Sequence, residues 1–298
     1  MLLKSSYHQL LTEDNLILLR RKQIFRVLDF LNADNKFLER CTTLTYPKHL
    51  AKTHSAPPVN GLNYFKKLLK YSSILSTGIQ LFDDLLQGGF MGGTIYEMCG
   101  AVESGNYQLL LTIIRNLLYK GEKVYFLDTK RDFSAVHMKE KLLPLTGNNW
   151  TQSVLLLENI LIKRISCKYD LVRAIFEVKQ ELREGLSVKI AIIHSVSTLF
   201  LSSNNASENN NILNHLANVL RYMMIQYNVI IVLTNLLTSW NDNVEFTENI
   251  SGGKYWQTVP QVRLKIEKIS SEHYDISLMK HNNSIGLDRV TIHSSVIQ

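Results

Sequence analysis

A chain of 298 residues, 45% apolar and 20% charged, is long enough for one large domain with a small companion and apolar enough to bury a sizeable core. Its longest apolar runs, "NVIIVLTNLL" and "IAIIHSVSTLFL", are too short and interrupted to span a bilayer, and "MLLKSSYHQLL" lacks a signal-peptide core, so an intracellular protein is expected. The net charge of +7 lies wholly in residues 1–70, which hold 12 Lys and Arg against 5 acids while the remainder balances 21 against 21; such a segment points to an acidic partner, nucleic acid ahead of membrane.

In chain order, Thr12 caps a helix through "EDNLILLRR", a second follows in "QIFRVLDFLN", and Asp34 starts a third in "KFLERC". The stretch "THSAPPVNGLN", residues 53–63, has two prolines, a glycine and no periodicity, which marks a linker. The expected organisation is therefore a small basic helical domain over 1–52, a linker and connecting helix over 53–71, and a larger domain over 72–298. There, strand-like runs ("TIYEMC", "KVYFLDT", "NILIKRIS", "VKIAIIHS", "NVIIVLTN") alternate with helical stretches such as "QLLLTIIRNLLYKG", "YDLVRAIFEVKQELREG" and "NILNHLANVLRYMMIQ". Leu110, Ile113, Ile114, Leu117 and Leu118 share one helical face, as packing on a sheet requires. The pattern reads as an α/β fold with a mostly parallel sheet covered on both sides, extended after residue 260 by antiparallel strands in "QVRLKIEKI", "YDISLMKH" and "RVTIHSSV". Cys41, Cys99 and Cys167 lie far apart without a CxxC pair, which argues against a disulfide framework or a zinc site and for plain buried thiols.

The stretch "MCGAVESGNYQLLLT" carries the chemistry. A phosphate-binding loop works because backbone N–H groups, freed by glycines and backed by a helix N-terminus, surround phosphates, while its Lys reaches the outer phosphates and its Ser or Thr holds magnesium. Gly100 and Gly105 keep the spacing, a strand enters and a helix leaves, so the candidate cradle is Gly100, Glu103, Ser104, Gly105, Asn106 and Tyr107.

Upstream, "STGIQLFDDLLQGGFMGGTIYEMCG" resembles the RecA-like recombinase family, in which Ser-Thr-Gly, a Leu-Asp-x-Leu-Leu block, Gly-Gly, a further Gly and a Glu lead into the loop; Phe82 stands at the Leu of the Leu-Asp block. Downstream, "YFLDT" looks like the family's second strand, "AIIHS" its magnesium strand, "VLTN" its sensor strand and "GGKYWQTVPQVRL" the segment after its second DNA-binding loop. Within the family, "LTEDNLILLRRKQIFRVLDFLNAD" and "PVNGLNYFKKLL" are most similar to the D-type paralogue, over nearly the whole chain. The resemblance implies a RecA-like P-loop core preceded by a small all-helical domain.

The departures fall on the working side chains. Asn106 replaces the phosphate Lys and cannot supply its charge. Tyr107 replaces the magnesium hydroxyl, and His194 stands where the magnesium aspartate would be, a poor ligand for a hard, oxygen-seeking cation. Lys130 occupies the position of the water-activating Glu, where a base is needed, and Leu236 that of the sensor Gln. Glu103 is compatible with a working loop, since relatives with one also carry an acid there. The expected site is thus a degenerate one with no cofactor and no metal; ATP bound without hydrolysis is the alternative.

The family's two DNA loops would fall near 200–211 and 236–253, and neither holds a Lys or Arg, so weak DNA affinity is expected there; Trp240 stacks on a base or packs locally. Candidate DNA contacts are instead Arg20, Arg21, Lys22, Arg26, Lys36 and Arg40, with Lys48 and Lys52 nearby. The resemblance further implies a nuclear subunit of a hetero-oligomer with other recombinase paralogues, bridging a C-type and an X-type partner. The function read from the sequence is a non-hydrolysing scaffold or mediator in recombination repair; the alternatives are a DNA-stimulated ATPase completed by a partner subunit and a DNA-binding module built on the basic domain.

Overall fold

The computed structural model describes residues 2–4, 11–34, 36, 38, 60–71, 73–201, 205–242, 245–250, 253–281 and 288–297. Two compact units emerge, Met1–Lys67 and Leu68–Gln298, with the boundary inside a connecting helix rather than at residue 72.

In the first unit, Thr12 accepts the N–H of Asn15 at 3.3 Å and starts α1 (Glu13–Arg21), whose acids at the first turn and arginines at the last complement the helix dipole. The Asp29 carboxylate accepts the N–H of Arg26 at 2.9 Å and fixes the start of α2 (Val27–Asn32). Leu16, Leu19 and Phe30 close on Leu3, Leu11, Ile24 and Leu38, so this short segment has an apolar core of its own. Of the third expected helix only the beginning is described: the N–H of Leu38 donates to the Asp34 carbonyl at 3.0 Å. Its remainder, with Arg40, Cys41, Lys48, Lys52 and residues 53–59, lies outside the described residues. Helix α3 (Gly61–Tyr71) follows.

The second unit runs β1 (Ile74–Leu75), α4 (Gln80–Leu85), β2 (Phe90–Met91), β3 (Ile95–Gly100), α5 (Asn106–Tyr119), β4 (Val124–Asp128), α6 (Ala135–Leu142), α7 (Trp150–Leu156), β5 (Ile160–Arg164), α8 (Lys168–Arg183), β6 (Ile190–His194), α9 (Ala206–Tyr227), β7 (Ile230–Asp242), β8 (Glu245–Ile250), β9 (Val262–Lys268), β10 (His273–Lys280) and β11 (Arg289–His293). The large sheet is ordered β11-β10-β9-β3-β7-β6-β4-β5, with β8 paired to the far end of β7. Strands β5, β4, β6, β7, β3 and β9 run parallel; β10 and β11 are antiparallel additions. The expected stripe of α5 is buried on one face against Phe126, Ile192, Val232 and Leu264. The other face is covered by Leu171, Ile175 and Val178 of α8 and Leu216, Leu220 and Met223 of α9. With both faces dry, β3, β4 and β6 are buried at every residue, which is why they read as unbroken apolar runs.

Three expectations are corrected. Strand β9 is not antiparallel: the chain returns through a helical turn at Gly253–Trp256 and enters alongside β3 in the same direction, a sense that apolar periodicity does not encode. The stretch expected as a second loop, 236–253, is largely a hairpin, with Leu237 through Asp242 pairing with Ile250 through Glu245. The first expected loop is shortened because α9 already starts at Ala206, where the side chain of Asn205 accepts the N–H of Glu208.

One buried charge positions the loop-bearing end of the sheet. Glu97 on β3 has no exposure, and its carboxylate accepts from Arg263 Nε on β9 at 2.6 Å, Asn235 Nδ2 on β7 at 2.9 Å and Trp256 Nε1 at 2.7 Å. Removing one partner of such a buried pair strands the other, at a cost of about 3–5 kcal/mol. Glu97→Ala is therefore expected to lower stability by about that much in urea titration, and Glu97→Gln by less, since the amide still accepts from Trp256.

Candidate functional site

Strand β3 ends at Gly100, and the loop turns into α5 through Glu103 (φ +68°) and Gly105 (φ +89°), both in the left-handed region. Packing gives the two loop glycines a reason to be there. A Cβ on Gly100 would lie 2.2 Å from Ser104 Oγ and 2.7 Å from the Ile266 carbonyl, while one on Gly105 would lie 2.2 Å from the ring of Tyr274 on β10. Ser104 Oγ and Asn106 Oδ1 are buried without a hydrogen-bond partner among the described residues. All six cradle residues, Gly100, Glu103, Ser104, Gly105, Asn106 and Tyr107, line one pocket of about 260 Å³, with Lys130, His194 and Leu236 also on its wall.

Two of the side chains that the resemblance marks as departures, Tyr107 and His194, meet one another. Tyr107, in the first turn of α5, stacks on His194 at the end of β6 with ring centroids 4.8 Å apart and planes 28° apart; Phe126 lies on the histidine 6.0 Å away. The Tyr107 hydroxyl donates to the Asp132 carbonyl at 3.0 Å. Burial, and then Asp132 and Asp128, push its phenol well up, so it stays a donor. His194 is 3% exposed. Its Nδ1 is 3.1 Å from Thr234 Oγ1 and its Nε2 3.4 Å from the Asp132 carboxylate. A carboxylate only accepts, so the Nε2–H tautomer, directed at Asp132 with the Thr234 hydroxyl donating to Nδ1, pairs both ring nitrogens; Thr234 Oγ1 also accepts the N–H of Ser195 at 2.7 Å.

The turn that carries Asp132 is built by Asp128, whose carboxylate accepts the N–H groups of Lys130, Arg131 and Phe133 at 3.2, 2.8 and 3.1 Å. The same turn leaves Lys130 exposed at the pocket wall. Sequence reasoning named His194, Tyr107 and Lys130 but missed Asp132 and Thr234, which hold the histidine, and Tyr274, which backs the loop. Asp132 lies three residues past the quoted "YFLDT"; Tyr274 comes from a distant strand and had no local signal.

The candidate DNA residues form a separate group. Arg20 and Arg21 end α1, Lys22 caps it and Arg26 precedes α2; these four and Lys36 are exposed.

With this geometry in place, the comparisons with known proteins are decisive for the family: a family model described as Rad51 matches residues 70–281. The chain belongs to the Rad51 family. It is 27% identical over 275 residues to the DNA repair protein RAD51 homolog 4 of Mus musculus, covering 86% of this chain and 82% of that protein. It is also 27% identical over 214 residues to the DNA repair and recombination protein RadB of Methanosphaera stadtmanae, covering 70% and 88%. A crystal structure of the RadB recombinase superposes with a TM-score of 0.61 at 20% identity, covering 74% of this chain and 96% of that one, and so shares the fold. The resemblance read from "STGIQLFDDLLQGGFMGGTIYEMCG" and the RecA-like core both hold for this Rad51-family chain.

A magnesium nucleotide, which the family resemblance implies here, would meet a donor set unlike its own. Magnesium demands near-octahedral oxygen ligation, usually from a carboxylate and a small hydroxyl. At those positions the Rad51-family fold here presents an imidazole and a phenol already engaged with each other, and orphaned oxygens of Ser104 and Asn106 that are sealed from the pocket's solvent.

Two outcomes follow. Gly105→Ala is expected to destabilise by more than the about 1–2 kcal/mol that a left-handed backbone costs, and the excess should vanish in a Tyr274→Ala background, measured as a double-mutant cycle. Burial holds His194 below its usual 6.5, with Asp132 opposing. The unfolded chain then takes up this proton first, so the contribution is complete above 6.5 and is lost as pH falls towards the lower folded value. Urea midpoints should drop as pH is lowered below about 6.5, and His194→Asn should make that slope shallower.

Proposed function

We propose that this chain serves homologous-recombination DNA repair as a recombinase paralogue that does not hydrolyse ATP and works as a nuclear scaffold, joining related subunits. The relatives named as DNA repair proteins support the process. The chemistry of the site supports the role. Phosphoryl transfer is catalysed almost entirely by positioning and charge: a lysine and a metal on the phosphates, a base or water-orienting group opposite. Here Asn106, Lys130 and Leu236 line the pocket in place of the phosphate cation, the base and the sensor, and His194 faces Tyr107 rather than an ion. The observation that carries the reading is Lys130 on the pocket wall, a lysine where the resemblance places the water-activating Glu.

An ATPase fold without that chemistry still supplies faces. Paralogues of the C and X types are the partners the resemblance implies, and the acid-bearing hairpin β7–β8, without a Lys or Arg, gives no basis for a phosphate grip there. A second reading has its own support. Arg20, Arg21, Lys22 and Arg26 are exposed within one short stretch of the first unit, which fits DNA contact through that unit.

Co-expression of the full chain with candidate paralogues tests the first reading. The expected result is stoichiometric capture of a paralogue with no magnesium-dependent ATP hydrolysis by the isolated chain; hydrolysis by the isolated chain, or failure to retain any paralogue, would refute it. For the second, Arg20, Arg21, Lys22 and Arg26 changed together to Gln should reduce the salt dependence of DNA binding by about four counterions' worth of slope; an unchanged slope removes the first unit from the interface.

A further inference from the structure

We propose that Tyr107 and His194, held by Asp132, are a built-in occupant of the place where a magnesium ion and outer phosphates would sit, closing the site with the protein's own side chains and ordering it without a nucleotide. This rests on the non-hydrolysing reading above and goes further, because a site can lose turnover and still take the nucleotide.

In a working phosphate loop, the hydroxyl at the first turn of the helix and the acid at the end of the magnesium strand reach the same cation, so the two side chains are bridged by the ion. At the matching positions here the side chains touch directly: Tyr107 and His194 lie 4.8 Å apart, centroid to centroid, at 28°. Direct stacking leaves no room between them for a cation and its water shell. The stack is also tied at its edges. Asp132 receives the phenol on its carbonyl at 3.0 Å and faces the imidazole with its carboxylate at 3.4 Å. Thr234 holds the other ring nitrogen at 3.1 Å, and Phe126 backs the imidazole.

By these contacts the first turn of α5 is fastened to the turn after β4, the end of β6 and, through the imidazole, Thr234 of β7. Both rings stand on the wall of the pocket of about 260 Å³ beside the loop. A neutral imidazole stacked on a neutral phenol also offers no charge to a triphosphate, and the single nearby cation on the pocket wall among the described residues, Lys130, is not on the loop.

Thermal melting of the full-length protein tests this, with ATP plus magnesium, with ATP plus EDTA, and with neither. The expected result is that the natural protein melts at the same temperature in all three. Tyr107→Phe, which keeps the ring, should melt close to the natural chain, and Tyr107→Ala several degrees lower. Only a chain carrying Asn106→Lys, Tyr107→Thr and His194→Asp together should gain magnesium-dependent stabilisation. A rise of about 3 °C or more in the natural protein with ATP, with or without magnesium, would overturn the proposal. So would a Tyr107→Ala chain that melts like the natural one, since the stack would then hold nothing. If the triple variant does not fold, the two single variants and the natural chain still decide. A natural chain stabilised by ATP that nevertheless captures a paralogue without hydrolysis would sink the occupied site alone, whereas an unresponsive chain that retains no paralogue would sink the scaffold alone.

Discussion

A fully buried carboxylate needs its hydrogen bonds and its countercharge inside the protein, and Glu97 finds them in three different places in the chain. Arg263, Asn235 and Trp256 all converge on its two oxygens. The cost of leaving any of them unpaired in a dry interior exceeds what most single contacts contribute, so β3, β7, β9 and the turn before β9 are locked in mutual position. The loop after Gly100 leaves from the end of this locked set. Its course is therefore dictated from behind, by the sheet, whatever lies in front of it. Gly100 fits against Ile266 of β9 and Gly105 against Tyr274 of β10, so the glycine spacing persists for reasons of packing.

This separates two properties usually read together in a phosphate loop. Backbone shape comes from the glycines and the sheet; catalytic competence comes from a handful of side chains. In this Rad51-family protein the shape is kept and the side chains are turned to other partners: the phenol to a carbonyl, the imidazole to a carboxylate and a threonine. Membership of the Rad51 family fixes the architecture, while function has to be argued from the site.

Much of this was legible in the residues. Thr12 announced a helix start, the apolar stripe of α5 announced a helix on a sheet, and buried parallel strands read as apolar runs because both of their faces are dry. The residues of the candidate site could be named one by one, since the resemblance assigns each of them a position. What stayed hidden depended on long-range geometry. The direction of β9 is set by how the chain returns, not by its alternation. The segment after Leu236 is polar and acidic and reads as a loop, yet its backbone pairs across a hairpin. That Tyr107 would lean on His194, and that Asp132 would hold both, required knowing that the ends of β4 and β6 are neighbours.

The mutual engagement of these side chains also bears on how such a sequence drifts. Tyr107 and His194 are each other's neighbours, so a change of either one alone breaks their contact. Aspartate at 194 alone would leave the tyrosine ring without its stacking partner and crowd a second carboxylate against Asp132. Threonine at 107 alone would leave the imidazole half uncovered. The two rings are therefore coupled positions, and only a joint change of both exchanges the stack for another arrangement without stranding one ring.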